Sequence, residues 1–250
     1  MYREYKCLRI SERVEAVDEP VVVEEPLSLY VNGKLFTTAM LSPQMKEEFV
    51  VGHLLTEGII RTLDEIESLE IQGNVARVVT KTPKVLVRRF VVSGCGGASS
   101  FLDETKLPKV ESELKVGKGA IFKGVSSVTS SELHRVTGGI HSCGLFDEEG
   151  EAVCITQDIG RHNALDKVIG HALLKKHDLS RCFVASTGRI SSEMVMKCVF
   201  AGVPVIASRG ATTSLAIEIA RRAKVTVVGF VRGGRMTVYS HEERLIRERR

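Results

Sequence analysis

One thiol stands apart from the other five cysteines. Cys95 lies in V-V-S-G-C-G-G-A-S-S, with one glycine before it and two after it, where the strand-like run V-L-V-R-R-F-V-V-S ends. Flanking glycines give the backbone freedom, and consecutive exposed N–H groups form concavities that hold anions. Such a setting, with arginine or histidine nearby, lowers a thiol pKa and makes a nucleophilic thiolate. The same stretch also fits a tight turn that contains a small residue. Cys154, Cys182 and Cys198 sit in apolar runs and read as small core residues. No two of the six cysteines have C-x-x-C spacing. His141 and Cys143, in T-G-G-I-H-S-C, alternate onto one face of a strand, but two further ligands at workable spacing are missing. No metal site, and no zinc, is expected.

Four more stretches carry groups that suit an anion. In D-I-G-R-H-N-A-L-D-K, Asp158, Arg161, His162, Asn163, Asp166 and Lys167 crowd a strand-to-helix junction. A helix start favours anions through its free N–H groups, and Arg161 and His162 there could hold a phosphate or orient a reacting group. A helix cap with surface ion pairs would use the same residues. S-T-G-R-I-S-S-E places Gly188 and Arg189 after a buried strand, and S-R-G-A-T-T-S has the same character. Neither is a Walker A loop. F-V-R-G-G-R joins two strands, so it fits a hairpin with Gly233 and Gly234 at its tip. Arg232 and Arg235 would offer planar forks for a phosphate or a purine edge.

These loops need elements to hold them. L-S-L-Y-V, N-G and K-L-F-T-T predict a type I′ hairpin around Asn32-Gly33. A helix opens near Pro43 and stops near Gly58, strands return over 67–93, and a turn falls at Gly73-Asn74. The polar stretch 104–130 reads as a linker or boundary. Beyond it, apolar strands alternate with amphipathic helices. Leu165, Val168, Ile169, Ala172 and Leu173 share one helix face at i, i+3, i+4, i+7 and i+8. The pattern predicts an α/β fold with a largely parallel sheet covered on both faces, and ligands bind beyond the carboxyl ends of such strands. That places Asp158–Asn163, Ser186–Ser192, Ser208–Ser214 and Arg232–Arg235 together. Two parts are expected: a strand-rich α+β part over 1–125 carrying the Cys95 loop, and an α/β domain over 126–250.

The chain has 250 residues, a formal net charge of +4 and 43% hydrophobic residues, in the ordinary globular range. M-Y-R-E-Y-K-C-L-R-I lacks the apolar core of a signal peptide, and no apolar run is long enough to span a membrane. A cytoplasmic protein with reduced thiols is expected. Nothing calls for a nucleic-acid partner, and the dense basic run R-L-I-R-E-R-R is confined to the C-terminus.

Taken in order, F-V-V-G-H-L-L-T-E-G-I-I, S-G-C-G-G-A-S, T-G-G-I-H-S, D-I-G-R-H-N-A-L-D-K-V-I-G, S-T-G-R-I-S-S-E-M-V-M-K, A-G-V-P-V-I-A-S, T-S-L-A-I-E-I-A and G-F-V-R-G-G-R-M-T-V-Y resemble the formate dehydrogenase accessory sulfurtransferases, FdhD/NarQ, from about residue 25 to 241. The resemblance implies a cytidine-deaminase-like three-layer α/β/α sheet in the C-terminal half, reused without its metal. It implies a sulfur carrier that takes sulfur from a cysteine desulfurase as a Cys95 persulfide. The sulfur then passes to the molybdenum bis(molybdopterin guanine dinucleotide) cofactor, before that cofactor enters the formate dehydrogenase catalytic subunit. Phe230, Val231, Arg232, Gly233, Gly234 and Arg235 match the family's guanine-nucleotide segment, and GDP would serve as a mimic. Arg161, His162 and Arg189 join that cofactor site on their chemistry alone. A homodimer is implied as well. Many family members carry C-G-x-C-G in the loop; here Val92 stands at the first cysteine and Cys95 at the second. A cofactor chaperone without sulfur chemistry is the alternative that this difference leaves open.

Overall fold

The computed structural model describes residues 1–82 and 107–246. A hairpin of β1 (Tyr2–Ile10) and β2 (Val14–Val22) comes first, antiparallel along its whole length. A four-stranded sheet follows, made of β3 (Glu25–Val31), β4 (Lys34–Leu41), β5 (Ile66–Gln72) and β6 (Val75–Thr80), in the order β4-β3-β6-β5. Asn32 and Gly33 both take positive φ (50° and 76°) and join β3 to β4 as the N-G signal predicts. Leu27, Leu29 and Val31 alternate inward and share one core with α1 (Lys46–Thr56).

The C-terminal part begins with β7 (Val116–Gly117), α2 (Lys118–Thr129) and α3 (Glu132–Thr137). Then come β8 (His141–Phe146), β9 (Ala152–Asp158), α4 (Arg161–Leu174), β10 (Phe183–Ser186), α5 (Ser192–Ala201), β11 (Val205–Ser208), α6 (Ser214–Ala223), β12 (Thr226–Arg232), β13 (Arg235–Ser240) and β14 (Leu245–Ile246). Six strands form one sheet in the order β13-β12-β11-β10-β8-β9. The expected α/β class holds, with three layers: α2 packs on one face of this sheet and α4, α5 and α6 cover the other.

Two expectations need correction. The sheet is mixed rather than largely parallel: β10, β11 and β12 run parallel, while β8, β9 and β13 are antiparallel to their neighbours. Helical crossovers through α5 and α6 make the parallel pairs. The short β8–β9 and β12–β13 connections can only reverse the chain. The stretch read as linker contains α2, whose Ile121, Val125 and Val128 are buried at i, i+4 and i+7. Gly124 lets α2 approach the sheet, since a Cβ there would meet the Phe183 ring at 2.8 Å. The division expected at 125/126 falls inside this helix.

α1 crosses α4 backbone to backbone. A Cβ on Gly52 would sit 2.8 Å from the Gly170 nitrogen, and one on Gly170 would sit 2.8 Å from the Gly52 nitrogen. Buried charge flanks this crossing. Asp166 accepts from Thr56 Oγ1 (2.8 Å) and Lys197 Nζ (2.9 Å) and lies 2.8 Å from His53 Nδ1. Lys197 also reaches Glu57 at 3.1 Å. Burial opposes the Asp166 charge, but Lys197 and the His53 hydrogen bond outweigh it, and the carboxyl is held down at about 2. A second clasp joins Lys167 to Asp158 at 2.6 Å, both side chains fully buried. Asp158 also accepts from the Ser42 N–H (3.0 Å), the Gly160 N–H (2.9 Å) and Asn163 Nδ2 (2.9 Å).

Candidate functional site

The parallel strands β10 and β11 end alike. Each closes on a serine, and the glycine two residues later donates its N–H back to that serine's hydroxyl: Gly188 to Ser186 at 3.2 Å, and Gly210 to Ser208 at 2.9 Å. Small hydroxyl residues make such turns because their oxygen reaches the backbone two residues on. The turns are laced side by side. Ser208 Oγ donates to Gly188 O (2.6 Å), the Ile190 N–H to Ala211 O (2.9 Å), and the Phe230 N–H to Gly210 O (2.9 Å). The loops after β10 and β11 and the far end of β12 thus form one platform at the carboxyl ends of the strands.

α4 starts against this platform. The Arg161 side chain runs over Gly188, where a Cβ would meet its Cδ at 2.9 Å. Arg161 Nε is buried and has no hydrogen-bond partner among the described residues. Burial lowers the Arg161 pKa and neighbouring Arg189 lowers it further, so a nearby anion would be favourable to both. Gly160, the N-cap of α4, supplies no side chain to satisfy the helix's first N–H groups. His162 Nε2 lies 3.1 Å from Glu193 Oε2 and 3.4 Å from Ser191 Oγ. Burial, then the Arg161 and Lys197 cations, push its pKa down to about 4, so the imidazole is neutral at pH 7. His141 reaches the same platform, with Nδ1 3.3 Å from Thr187 Oγ1; burial and then Arg161 lower its pKa too.

At the β12–β13 hairpin, Gly233 and Gly234 both take positive φ (58° and 73°) and make the tip. Phe230 sits in a register break, with φ 52°, and the residue is 36% exposed. The Arg232 guanidinium carbon stands 5.5 Å from that ring's centroid, and Arg235 pairs with Arg232 across the turn. Val231 is different. Its side chain is buried in the core beneath α2, so only its backbone is near the surface.

A match to the FdhD/NarQ family extends over residues 22–246, and with it come full-length relatives. The chain belongs to the FdhD/NarQ family. It is 38% identical to the sulfur carrier protein FdhD of Sulfurisphaera tokodaii, over 96% of this chain and 98% of that one. It is 35% identical to the Bacillus subtilis protein of the same name, over 93% and 92%. The crystal structure of a candidate formate dehydrogenase accessory protein from Desulfotalea psychrophila superposes with a TM-score of 0.82, at 28% identity, over 98% of this chain and 99% of that one.

In this FdhD/NarQ chain the structure brings Arg161, His162 and Arg189 together. It joins them to Phe230 through Gly188 and Gly210, and sets Arg232 and Arg235 on the hairpin beyond. Cys95 lies outside the described residues. Four of the six polar residues expected to crowd a ligand are otherwise engaged: Asp158, Asn163, Asp166 and Lys167 bind the N-terminal part at Met40, Ser42, His53 and Thr56. Reading the sequence missed Glu193 as the partner of His162, and missed the paired serine turns. The repeated endings A-S-T-G-R and A-S-R-G-A carry that second signal. Cys143 is fully buried, and burial pushes its thiol well up, out of thiolate range. Among the described residues, no group of three His, Cys, Asp or Glu is placed to hold a metal ion, and no helix is long and apolar enough to cross a membrane.

Proposed function

We propose that this chain is a sulfur carrier serving formate dehydrogenase, with Cys95 as the residue that carries the sulfur. The support is a family match that takes in S-G-C-G-G-A-S, together with the presence elsewhere in the fold of a strand-end platform whose cations suit an anionic cargo. Sulfur enters from a cysteine desulfurase. The Cys95 thiolate attacks the outer sulfur of the desulfurase persulfide. The S–S bond there breaks, an S–S bond forms on Cys95, and the departing desulfurase thiolate takes up a proton. No net electron transfer is required.

The recipient is the molybdenum bis(molybdopterin guanine dinucleotide) cofactor, a substrate here, bound before it enters the formate dehydrogenase catalytic subunit. The platform fits its charged parts. Arg161, whose Nε has no partner among the described residues, and Arg189 suit a phosphate, and GDP would occupy the same place. Phe230 is a part-exposed aromatic residue beside Arg232, and Arg232 and Arg235 offer planar forks to a purine edge. A persulfide is anionic at neutral pH, so these cations also reduce its repulsion from the cofactor.

Incubation with a cysteine desulfurase and cysteine should add one sulfur atom to the intact protein, and Cys95→Ser should abolish the adduct. An unmodified wild-type mass would overturn the sulfur step. Val92, where many relatives have a cysteine, favours the second function, a cofactor chaperone without sulfur chemistry. That function holds instead if Cys95→Ser still binds GDP and still matures formate dehydrogenase in cells.

A further inference from the structure

Two histidines stand beside Arg161, and their hydrogen bonds assign the place of each imidazole proton. His162 Nε2 faces the Glu193 carboxylate at 3.1 Å, and an ionised carboxylate only accepts, so the proton is on Nε2. At His141 the partner is the Thr187 hydroxyl, 3.3 Å from Nδ1. That hydroxyl gives its one proton to Ser142 O (3.4 Å) and accepts from the Ser142 N–H (3.1 Å). Nδ1 is therefore the donor, and the lone pair of the neutral His141 ring lies on Nε2. His141 is also held close to the cation. It pairs across the strands with Asp158, where the chain turns into α4. Its partner Thr187 directly precedes Gly188, over which the Arg161 side chain runs. Consecutive residues of one strand-end turn thus carry His141 and Arg161.

We propose that His141 completes the anion site: a phosphate settling against Arg161 brings one proton from solvent onto His141 Nε2, which then donates a hydrogen bond to a phosphate oxygen. This role rests on the proposed function, in which the platform holds a phosphate. A bare ring nitrogen would turn a lone pair toward the anion, and protonation makes it a charge-assisted donor instead. The surroundings of His141 decide when that happens. Among the described residues, burial opposes a charge on the ring most, then Arg161 of α4 and His134 of α3, while Asp158 of β9 favours one. Asp158 is itself neutralised by Lys167 at 2.6 Å, both side chains fully buried. The net effect holds His141 below its ordinary value in the free protein. A phosphate offsets Arg161 and adds an attraction of its own, and both changes raise His141 again. His162 does not follow. Burial, Arg161 and Lys197 hold it at about 4, and its Nε2–H is committed to Glu193. One proton is therefore taken up rather than two.

Calorimetry of the full chain with GDP, in buffers of different ionisation enthalpy at pH 7, counts the protons. The comparison is with His141→Asn, whose amide keeps a donor for Thr187 and does not titrate. The wild type should take up more protons than the variant, by up to about one per GDP. Its affinity advantage over the variant should widen as pH falls from 8 to 6, by at most about 10-fold for each unit that binding raises the His141 pKa. Ring-nitrogen NMR of the wild type is independent of the variant. His141 Nε2 should be unprotonated in the free chain at pH 7, protonated with GDP or pyrophosphate, and unchanged with guanosine, which has no phosphate. Equal proton uptake by the two proteins, an Nε2 that keeps its lone pair in the GDP complex, or protonation by guanosine alike overturns the role of His141 and leaves the anion site standing. A wild type that binds neither GDP nor pyrophosphate overturns both.

Discussion

Replacing Asp166 with asparagine keeps the side chain's shape and removes its charge. The carboxylate is fully buried against Lys197 and His53, and its pKa is held at about 2 against an ordinary 3.8. That displacement corresponds to about 2 kcal/mol in favour of the ionised folded state. Asparagine also leaves the Lys197 ammonium buried, with Glu57 at 3.1 Å as its remaining carboxylate. Breaking a buried pair from one side costs about 3–5 kcal/mol. The retained Glu57 contact places the expected loss near the low end, about 3 kcal/mol. For a chain of this size that lowers Tm by about 6–12 °C. The pH dependence is a sharper check. Because the folded pKa is depressed, the Asp166 contribution is complete above pH 4 and is lost as pH falls toward 2. The difference between wild type and Asp166→Asn, measured by urea unfolding at a series of pH values, should therefore be constant from pH 5 to 7 and shrink below 4. A variant that melts within 1–2 °C of wild type (roughly half a kcal/mol), or a gap that does not narrow in acid, refutes this account of the clasp.

Three further outcomes are expected. Gly170→Ala gains about 1 kcal/mol of helix propensity but drives a methyl into the α1 backbone, so net destabilisation of about 2 kcal/mol or more should appear in urea melts. Arg161→Gln should weaken GDP binding by about 10-fold or more in calorimetry, the worth of one charge-assisted hydrogen bond, with Tm little changed. His162, with its pKa lowered to about 4, should remain neutral by NMR across pH 5–8, and the stability it lends should be present above about 6.5 and decline as pH falls toward 4.

Features with local causes were legible in the sequence. Asn32-Gly33 and Gly233-Gly234 specify their own turns, and the spacing from Leu165 to Ala172 specifies the buried face of α4. The anion-suited loops were legible because each follows an apolar strand. What was not legible depends on partners far away in the chain. Asp158 and Asp166 look like site residues beside Arg161, yet their partners Ser42 and Thr56 lie 116 and 110 positions earlier. Local spacing holds no trace of such a pairing. α2 was hidden because its exposed face is lysine, serine and glycine, which resembles linker composition. β1 was hidden because neither of its faces is buried, so alternation had no inner side to mark.

The clasp around Asp166 also sets an order of events during synthesis. His53, Thr56 and Glu57 leave the ribosome with the rest of α1, but Lys197, which must reach Thr56 and Glu57, is encoded 140 residues after Glu57. At 5–20 residues per second that is a wait on the order of ten seconds. For most of it α1 exposes the glycine groove at Gly52 and leaves His53, Thr56 and Glu57 unmatched, until α4 emerges to close over them. The N-terminal half of the chain is made first and completed last.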